Sequence, residues 1–223
     1  MSQGSQEEYN GKWAAVDDYL VSHLVESDPV LEQVLKNNHQ AGLPAHDVAP
    51  NQGKLLALLA QITGAQKVLE IGTLGAYSTL WLARALPALG KVVTLEADPH
   101  HARVAKTNIE LAGLQDKITL HVGPAAQTLP GLQAEAPFDL IFIDADKPGN
   151  PLYLEWALKL SKPGTLIIGD NVVREGAVVD PHSDDARVQG VRRFIEMIEQ
   201  EPRLSATALQ TVGSKGWDGF VLA

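Results

Sequence analysis

Hydrophobic positions follow a helical period at the start of the chain and a strand–helix alternation after it. Over residues 12–26, Trp13, Val16, Leu20 and Leu24 recur at intervals of three and four and predict an amphipathic helix. Asp28-Pro29 offers an N-cap followed by proline at the first helical position, opening a second helix to about Asn38. Gly42-Leu43-Pro44 breaks it, and a Leu-rich third helix is predicted from about Asn51 to Thr63. From Lys67 onward short apolar runs at 68–71, 92–95, 118–122, 140–143 and 166–168 read as strands. Between and after them, 76–86, 99–112, a short turn before Pro130, 152–160 and 188–199 read as helices. Such alternation implies a parallel sheet with helices on both faces. Residues 205–212 and 219–222 predict two last strands around Gly213-Ser214-Lys215-Gly216, forming an antiparallel edge. With no repeat, low-complexity tract or long linker, one domain over 1–223 is expected. A helical segment, 1–64, would serve as lid or oligomer surface, and 65–223 as an α/β core.

Two of the strands open into acids at their C-terminal ends: Phe138-Asp139-Leu140-Ile141-Phe142-Ile143-Asp144-Ala145-Asp146-Lys147 and Leu166-Ile167-Ile168-Gly169-Asp170-Asn171. That edge of an open α/β sheet is where ligands bind. Asp144, Asp170 and Asn171 carry hard oxygens of the kind that suit Mg²⁺ or a similar cation. Asp146 is expected to support the loop, not a metal.

The first strand-to-helix turn, Glu70-Ile71-Gly72-Thr73-Leu74-Gly75-Ala76-Tyr77-Ser78, lets backbone approach a ligand closely. It lacks the G-x-G-x-x-G dinucleotide fingerprint, and Glu70 opposes a phosphate. A zwitterion such as the amino-acid part of S-adenosylmethionine fits better. The second strand ends Thr94-Leu95-Glu96-Ala97-Asp98; an acid so placed can accept both hydroxyls of a ribose, whereas Asp98 suits the start of the next helix. Gly123-Pro124-Ala125 is a further tight turn at the same edge.

Composition narrows the classes. Apolar residues make up 45% and charged residues 20%, as in ordinary globular proteins. A net charge of −9 provides no general field for a phosphate backbone, so nucleic acid is not the expected partner. The absence of cysteine excludes disulfides, thiolate catalysis and cysteine-held metal centres. Met1–Asn10 is too polar and acidic for an export signal, and no apolar stretch nears the roughly 18 residues of a membrane span, so a cytoplasmic protein without a membrane partner is expected.

Together, VLEIGTLGAYSTLWLARALP, VTLEADP, FDLIFIDADK with Tyr153, and IIGDN resemble the cation-dependent class I O-methyltransferases, the group of catechol and caffeoyl-coenzyme A O-methyltransferases, over about residues 48–223. The resemblance implies a doubly wound, mostly parallel seven-stranded sheet and a homodimer. It implies that Glu70, Gly72, Tyr77 and Ser78 line the methionine end of S-adenosylmethionine, with Glu96 at the ribose, Ala125 by the adenine and Val48 contacting the cofactor through its backbone. Asp144, Asp170 and Asn171 match the metal ligands, and Asp144 also borders the cofactor; Lys147 matches the lysine beside the acceptor. Mg²⁺ is the expected ion, with Ca²⁺ or Mn²⁺ as alternatives. Three positions depart from the family. Ala76 replaces a frequent glycine and is expected to fit as a residue entering a helix. Gly149 replaces an asparagine, which implies a looser acceptor loop, and Arg174 stands where plant relatives carry a bulky aromatic.

The implied reaction carries a methyl group from sulfonium to a phenolic oxygen of a small molecule. A free phenol has a pKa of about 10, so a cation that grips two adjacent oxygens would favour vicinal diols. Lys147 would take the proton as an amine or stabilise the phenolate as a cation. Two other functions stay open: methylation of a hydroxylated transfer-RNA base, and a cofactor-binding protein whose acceptor chemistry has decayed. His100-His101 and His182 are expected on solvated faces, Arg192-Arg193 in exterior salt bridges, and Trp217-Asp218 as packing in the final turn. Ser78 lacks the setting of a hydrolase nucleophile.

Overall fold

Alternate residues of the strands face opposite sides of a sheet, and each side builds its own core. The computed structural model describes residues 3–223, with side chains from Glu8 onward; the Met1–Asn10 segment discussed above lies partly outside the described residues. Strands β1 (Lys67–Ile71), β2 (Lys91–Glu96), β3 (Ile118–Val122), β4 (Leu140–Ile143) and β5 (Leu166–Asp170) run parallel. Strands β6 (Thr207–Gly213) and β7 (Gly216–Leu222) form a hairpin whose second strand pairs antiparallel with β5. The order is β3-β2-β1-β4-β5-β7-β6, so the chain reverses direction across the sheet between β1 and β4. That switch point leaves a crevice at the carboxyl ends of the strands.

Val68, Leu140 and Phe142 point to one face and pack with helices α2 (Pro29–Gln40), α3 (Pro50–Ile62), α4 (Tyr77–Ala85) and α5 (Pro99–Leu111). Leu69, Ile71, Ile141 and Ile143 point to the other and pack with α7 (Asn150–Leu160) and α8 (Ala186–Gln200), beside a short α6 (Ala125–Thr128). Burying a side chain such as Phe142 or Phe194 contributes about 1.5–3 kcal/mol. Gly169 makes the second case possible, because a β-carbon there would stand 2.7 Å from the Phe194 ring.

The first helix, α1 (Gln3–Leu24), forms where periodicity placed one but is attached differently. Val16, Leu20 and Leu24 remain exposed, and the helix is fixed instead by Asp17. Its carboxylate accepts from Asn51 Nδ2 at 2.9 Å and from Ser214 N at 2.7 Å, joining α1 to α3 and to the β6–β7 turn.

Among the boundaries that differ from the sequence expectation, three shift a named residue into a different setting. A 3₁₀ turn continues from α6 through Leu129–Ala134, so Pro130 lies inside it; proline's missing N–H costs nothing in the first turn of such a helix. Strand β5 extends to Asp170, which places that acid on the sheet. Strand β7 starts at Gly216, and Trp217 and Asp218 are paired with Val212 and Thr211 instead of lying in a turn. Among the described residues no helix is long and apolar enough to cross a membrane.

Candidate active site

The turn from β1 to α4 is built from unusual backbone. Gly72 has φ 103°, and its α-carbon packs so closely on the Asp144 carbonyl that no side chain fits. Leu74 and Ala76 also sit in the left-handed region, at φ 51° and 71°. Ala76 therefore does not enter the helix in ordinary helical geometry, and each such residue costs roughly 1–2 kcal/mol. Neighbours hold the turn in place. Leu74 N donates to Glu96 Oε2 at 2.7 Å, Ala76 N to Thr73 O at 2.9 Å, and Asn108 Nδ2 to Gly75 O at 2.8 Å. Asn108 also donates to Asn38 Oδ1 at 2.9 Å, and Asn38 to Asp47 Oδ1 at 2.8 Å, so this buried amide chain connects the turn to the loop before α3.

Beneath the turn Glu70 is fully buried and accepts from Ser78 Oγ (2.6 Å), Thr94 Oγ1 (2.6 Å) and Thr79 Oγ1. Burial pushes its carboxyl up to about 7 against the pull of the three hydroxyls. Glu70 thus lies behind the pocket wall, and Ser78 presents the surface that Glu70 was expected to provide. The other acid separates cleanly from its neighbour. Asp98 caps α5 by accepting from His100 N, while Glu96 faces the cleft with Oε1 accepting from Asp98 N at 2.9 Å.

A cleft of about 610 Å³ runs along this edge. Val48, Gly72, Tyr77, Ser78, Glu96, Ala125, Asp144, Lys147 and Asn171 all line it, with the Asp144 carbonyl packed on Gly72. Lys147, only 6% exposed, places Nζ 3.0 Å from Asp144 Oδ1. Asp170 sits just behind Asn171, 5% exposed, and accepts from Gln52 Nε2 at 2.7 Å and from Asn171 N at 2.8 Å. Burial and then the negative charge of Asp144 push the Asp170 carboxyl upward. Asn171 has φ 55°, a conformation asparagine tolerates, and it turns the chain out of β5 at the cleft.

The donor set fits a hard divalent cation: two carboxyls close enough for the Asp144 charge to raise Asp170, plus an amide side chain at the same strand end. The β1–α4 turn fits a nucleoside with a charged amino-acid tail, because closely packed glycine backbone and an accepting Glu96 meet there. Asp146 supports the loop as expected, accepting from Gly149 N at 3.0 Å and from the Tyr153 hydroxyl. Burial and this carboxylate raise the Tyr153 hydroxyl above its ordinary range. Gly149 is not a gap in the loop: a β-carbon there would come within 2.5 Å of the Tyr153 ring, which occupies the space.

Several residues at the cleft escaped the sequence reading. Gln52 reaches Asp170 from α3, and only its place in Pro50-Asn51-Gln52-Gly53 hinted at a role. His101 lines the cleft with Nδ1 3.7 Å from Glu96 Oε1, so the histidine pair is split between a cleft residue and an outer one bonded to Ala41 O. Of the pair expected in exterior salt bridges, Arg193 reaches Glu196 at 3.5 Å, while Arg192 makes no ion pair among the described residues and donates to Val178 O at 2.6 Å. Arg187 and Lys215 also border the cleft, the first just ahead of the predicted 188–199 helix and the second in the final turn, together with Arg174, which the family resemblance had singled out.

The model of a family described as O-methyltransferase matches residues 21–223. A protein named catechol O-methyltransferase from Niastella koreensis is 49% identical over 216 residues, covering 96% of this chain and 98% of its own. An O-methyltransferase from Bacillus cereus, solved with S-adenosylhomocysteine, is 60% identical with TM-score 0.94, over 95% of this chain and 97% of that one. Another from Streptomyces achromogenes, involved in tomaymycin synthesis and solved with S-adenosylmethionine, is 46% identical with TM-score 0.93, over 100% and 98%. With a switch-point cleft of this build and such likeness along its length, the chain belongs to the O-methyltransferase family.

Proposed function

We propose that this S-adenosylmethionine-dependent O-methyltransferase methylates one hydroxyl of a small vicinal diol of the catechol kind, and that it requires a divalent cation held by Asp144, Asp170 and Asn171. The observation carrying this is the meeting of Asp144, Lys147 and the buried Asp170 beside a cleft that Gly72, Ser78 and Glu96 also line. The relative named catechol O-methyltransferase supports the acceptor class. Mg²⁺ is the favoured ion, with Ca²⁺ and Mn²⁺ as substitutes.

A bound donor would supply an electrophilic methyl group, and a cation held by Asp144, Asp170 and Asn171 would supply positive charge that favours the ionised acceptor. The chain's own residues do the rest. Val48, Gly72, Tyr77, Ser78, Glu96 and Ala125 hold and orient the donor, with Glu70 fixing Ser78 from behind. Lys147, held by Asp144, would take the acceptor's proton as an amine or stabilise its phenolate as a cation. Holding oxygen and methyl carbon in line is chiefly an orientation effect. The helical segment 1–64 and the core 65–223 act as one unit, since Gln52 and Val48 complete the cleft. A homodimer would cover the exposed Val16, Leu20 and Leu24 of α1.

The test is methyl transfer to catechol with Mg²⁺ or with EDTA. Chelation is expected to lower turnover at least about 100-fold while S-adenosylhomocysteine still binds. Full activity without metal would overturn the cation requirement, and no transfer to any diol would overturn the acceptor class.

A further inference from the structure

Arg174 occupies one of the most constrained pieces of backbone in the protein. It and Glu175 are consecutive non-glycine residues in the left-handed region, at φ 56° and 54°. Three contacts enforce that conformation. Asp218 Oδ1 accepts from both Val173 N (2.9 Å) and Arg174 N (3.0 Å). Gly176 is packed against the Trp217 ring, and Arg192 holds Val178 O at 2.6 Å. Strain of this sort, held from several sides, is characteristic of functional positions.

The strained turn brings Arg174 to the cleft three residues after Asn171, which lines it too. The Arg174 side chain is one-quarter exposed, and its Nε is buried without a hydrogen-bond partner. Its nearest carboxylate oxygen, Asp218 Oδ2, is 4.0 Å away, beyond hydrogen-bond reach. Asp185 also feels its charge, but both oxygens of Asp185 are taken by Arg187, at 2.6–3.1 Å. That pairing also occupies Arg187. Lys147 is already committed to Asp144. Arg174 is thus a cation of the cleft whose fork of donors is left for a ligand.

We propose that Arg174 determines acceptor specificity by binding a carboxylate on the substrate, so that the preferred acceptors are vicinal diols whose ring carries an acidic side group. A planar guanidinium matches a planar carboxylate with two parallel hydrogen bonds. A more highly charged phosphate would face added repulsion from Asp218 and Asp185. The proposal rests on the diol reading above, and its test is built to fail separately from it.

Catechol and vicinal dihydroxybenzoate would be methylated by the wild-type protein, Arg174→Lys and Arg174→Asn, the last chosen because asparagine tolerates the left-handed backbone. In the wild type, kcat/KM should favour the carboxylate by about tenfold or more, mainly through KM, as a charge-assisted bond warrants. In Arg174→Asn that ratio should fall about tenfold, with Arg174→Lys between the two. A wild-type ratio at or below one, or an equal loss on both acceptors, would overturn the proposal. Should neither be methylated, the diol reading fails. Arg174 is then judged by titrating dihydroxybenzoate into protein holding Mg²⁺ and S-adenosylhomocysteine. Binding about tenfold weaker in Arg174→Asn upholds the assignment, and unchanged binding overturns it.

Discussion

Gln52 Nε2 donates to Asp170 Oδ2 at 2.7 Å, joining two residues 118 positions apart. The bond aims one carboxylate oxygen and leaves the other on Asn171 N. Partners of metal-ligating side chains commonly change metal affinity by about 10–100-fold when removed. Gln52→Leu is accordingly expected to raise the Mg²⁺ concentration for half-maximal activity by about that factor. S-adenosylhomocysteine affinity, measured by calorimetry, should change less than about twofold, because the Gln52 side chain bonds to Asp170 and to none of Gly72, Ser78 and Glu96.

Lys147 is nearly sealed from solvent and bonded to Asp144, so its nitrogen has a defined position. Lys147→Met should lower kcat by about 100- to 10,000-fold, the usual range for losing a proton-handling group. Lys147→Arg separates the two roles. Arginine keeps the charge yet cannot give up its proton, so recovery to within about tenfold of wild type assigns charge stabilisation. A loss equal to that of Lys147→Met assigns proton transfer.

Glu70 predicts a pH effect on stability. Its folded carboxyl titrates at about 7, above the ordinary 4.5, so the folded state keeps a proton that the unfolded chain has released. The stabilising contribution is complete below about 4.5 and is lost as pH rises through about 7. Over that window the loss is on the order of 3 kcal/mol. Glu70→Gln cannot titrate. The difference in denaturant stability between variant and wild type should therefore move in the variant's favour by that order from pH 4 to pH 8.

Glu96 spends one oxygen on Leu74 N and the other on Asp98 N, so it shapes the donor end as well as facing it. Glu96→Ala should raise KM for S-adenosylmethionine by about tenfold or more and cost roughly 1–3 kcal/mol of stability, since Leu74 N loses its acceptor. KM for the acceptor should stay nearly constant. A parallel rise in both would show that the whole cleft had collapsed.

The sheet, its two layers and the strand-end acids were legible because they rest on short periods: two in strands, near four in helices. Asp144, Asp170 and Asn171 stand where apolar runs stop, which a single sequence displays. What could not be read depends on distance. Gln52 acts across 118 residues, and Asp218 supports Arg174 from a neighbouring strand 44 residues away. Backbone strain was equally hidden. Ala76 looked like an ordinary helix entry, and only its surroundings, Glu96, Thr73 and Asn108, hold the preceding turn in a shape alanine avoids. Gly149 suggested slackness until the ring of Tyr153 was found filling its place.

Asp17 has a consequence for how the cleft comes into being during synthesis. Its Ser214 contact spans 197 residues, so the leading helix has no anchor there until the final hairpin has left the ribosome. Asn51, one residue before Gln52, shares that anchor. That anchor beside Gln52 is thus completed last, and a nascent chain halted before the hairpin would carry α1 and α3 without their tie to the far edge of the sheet.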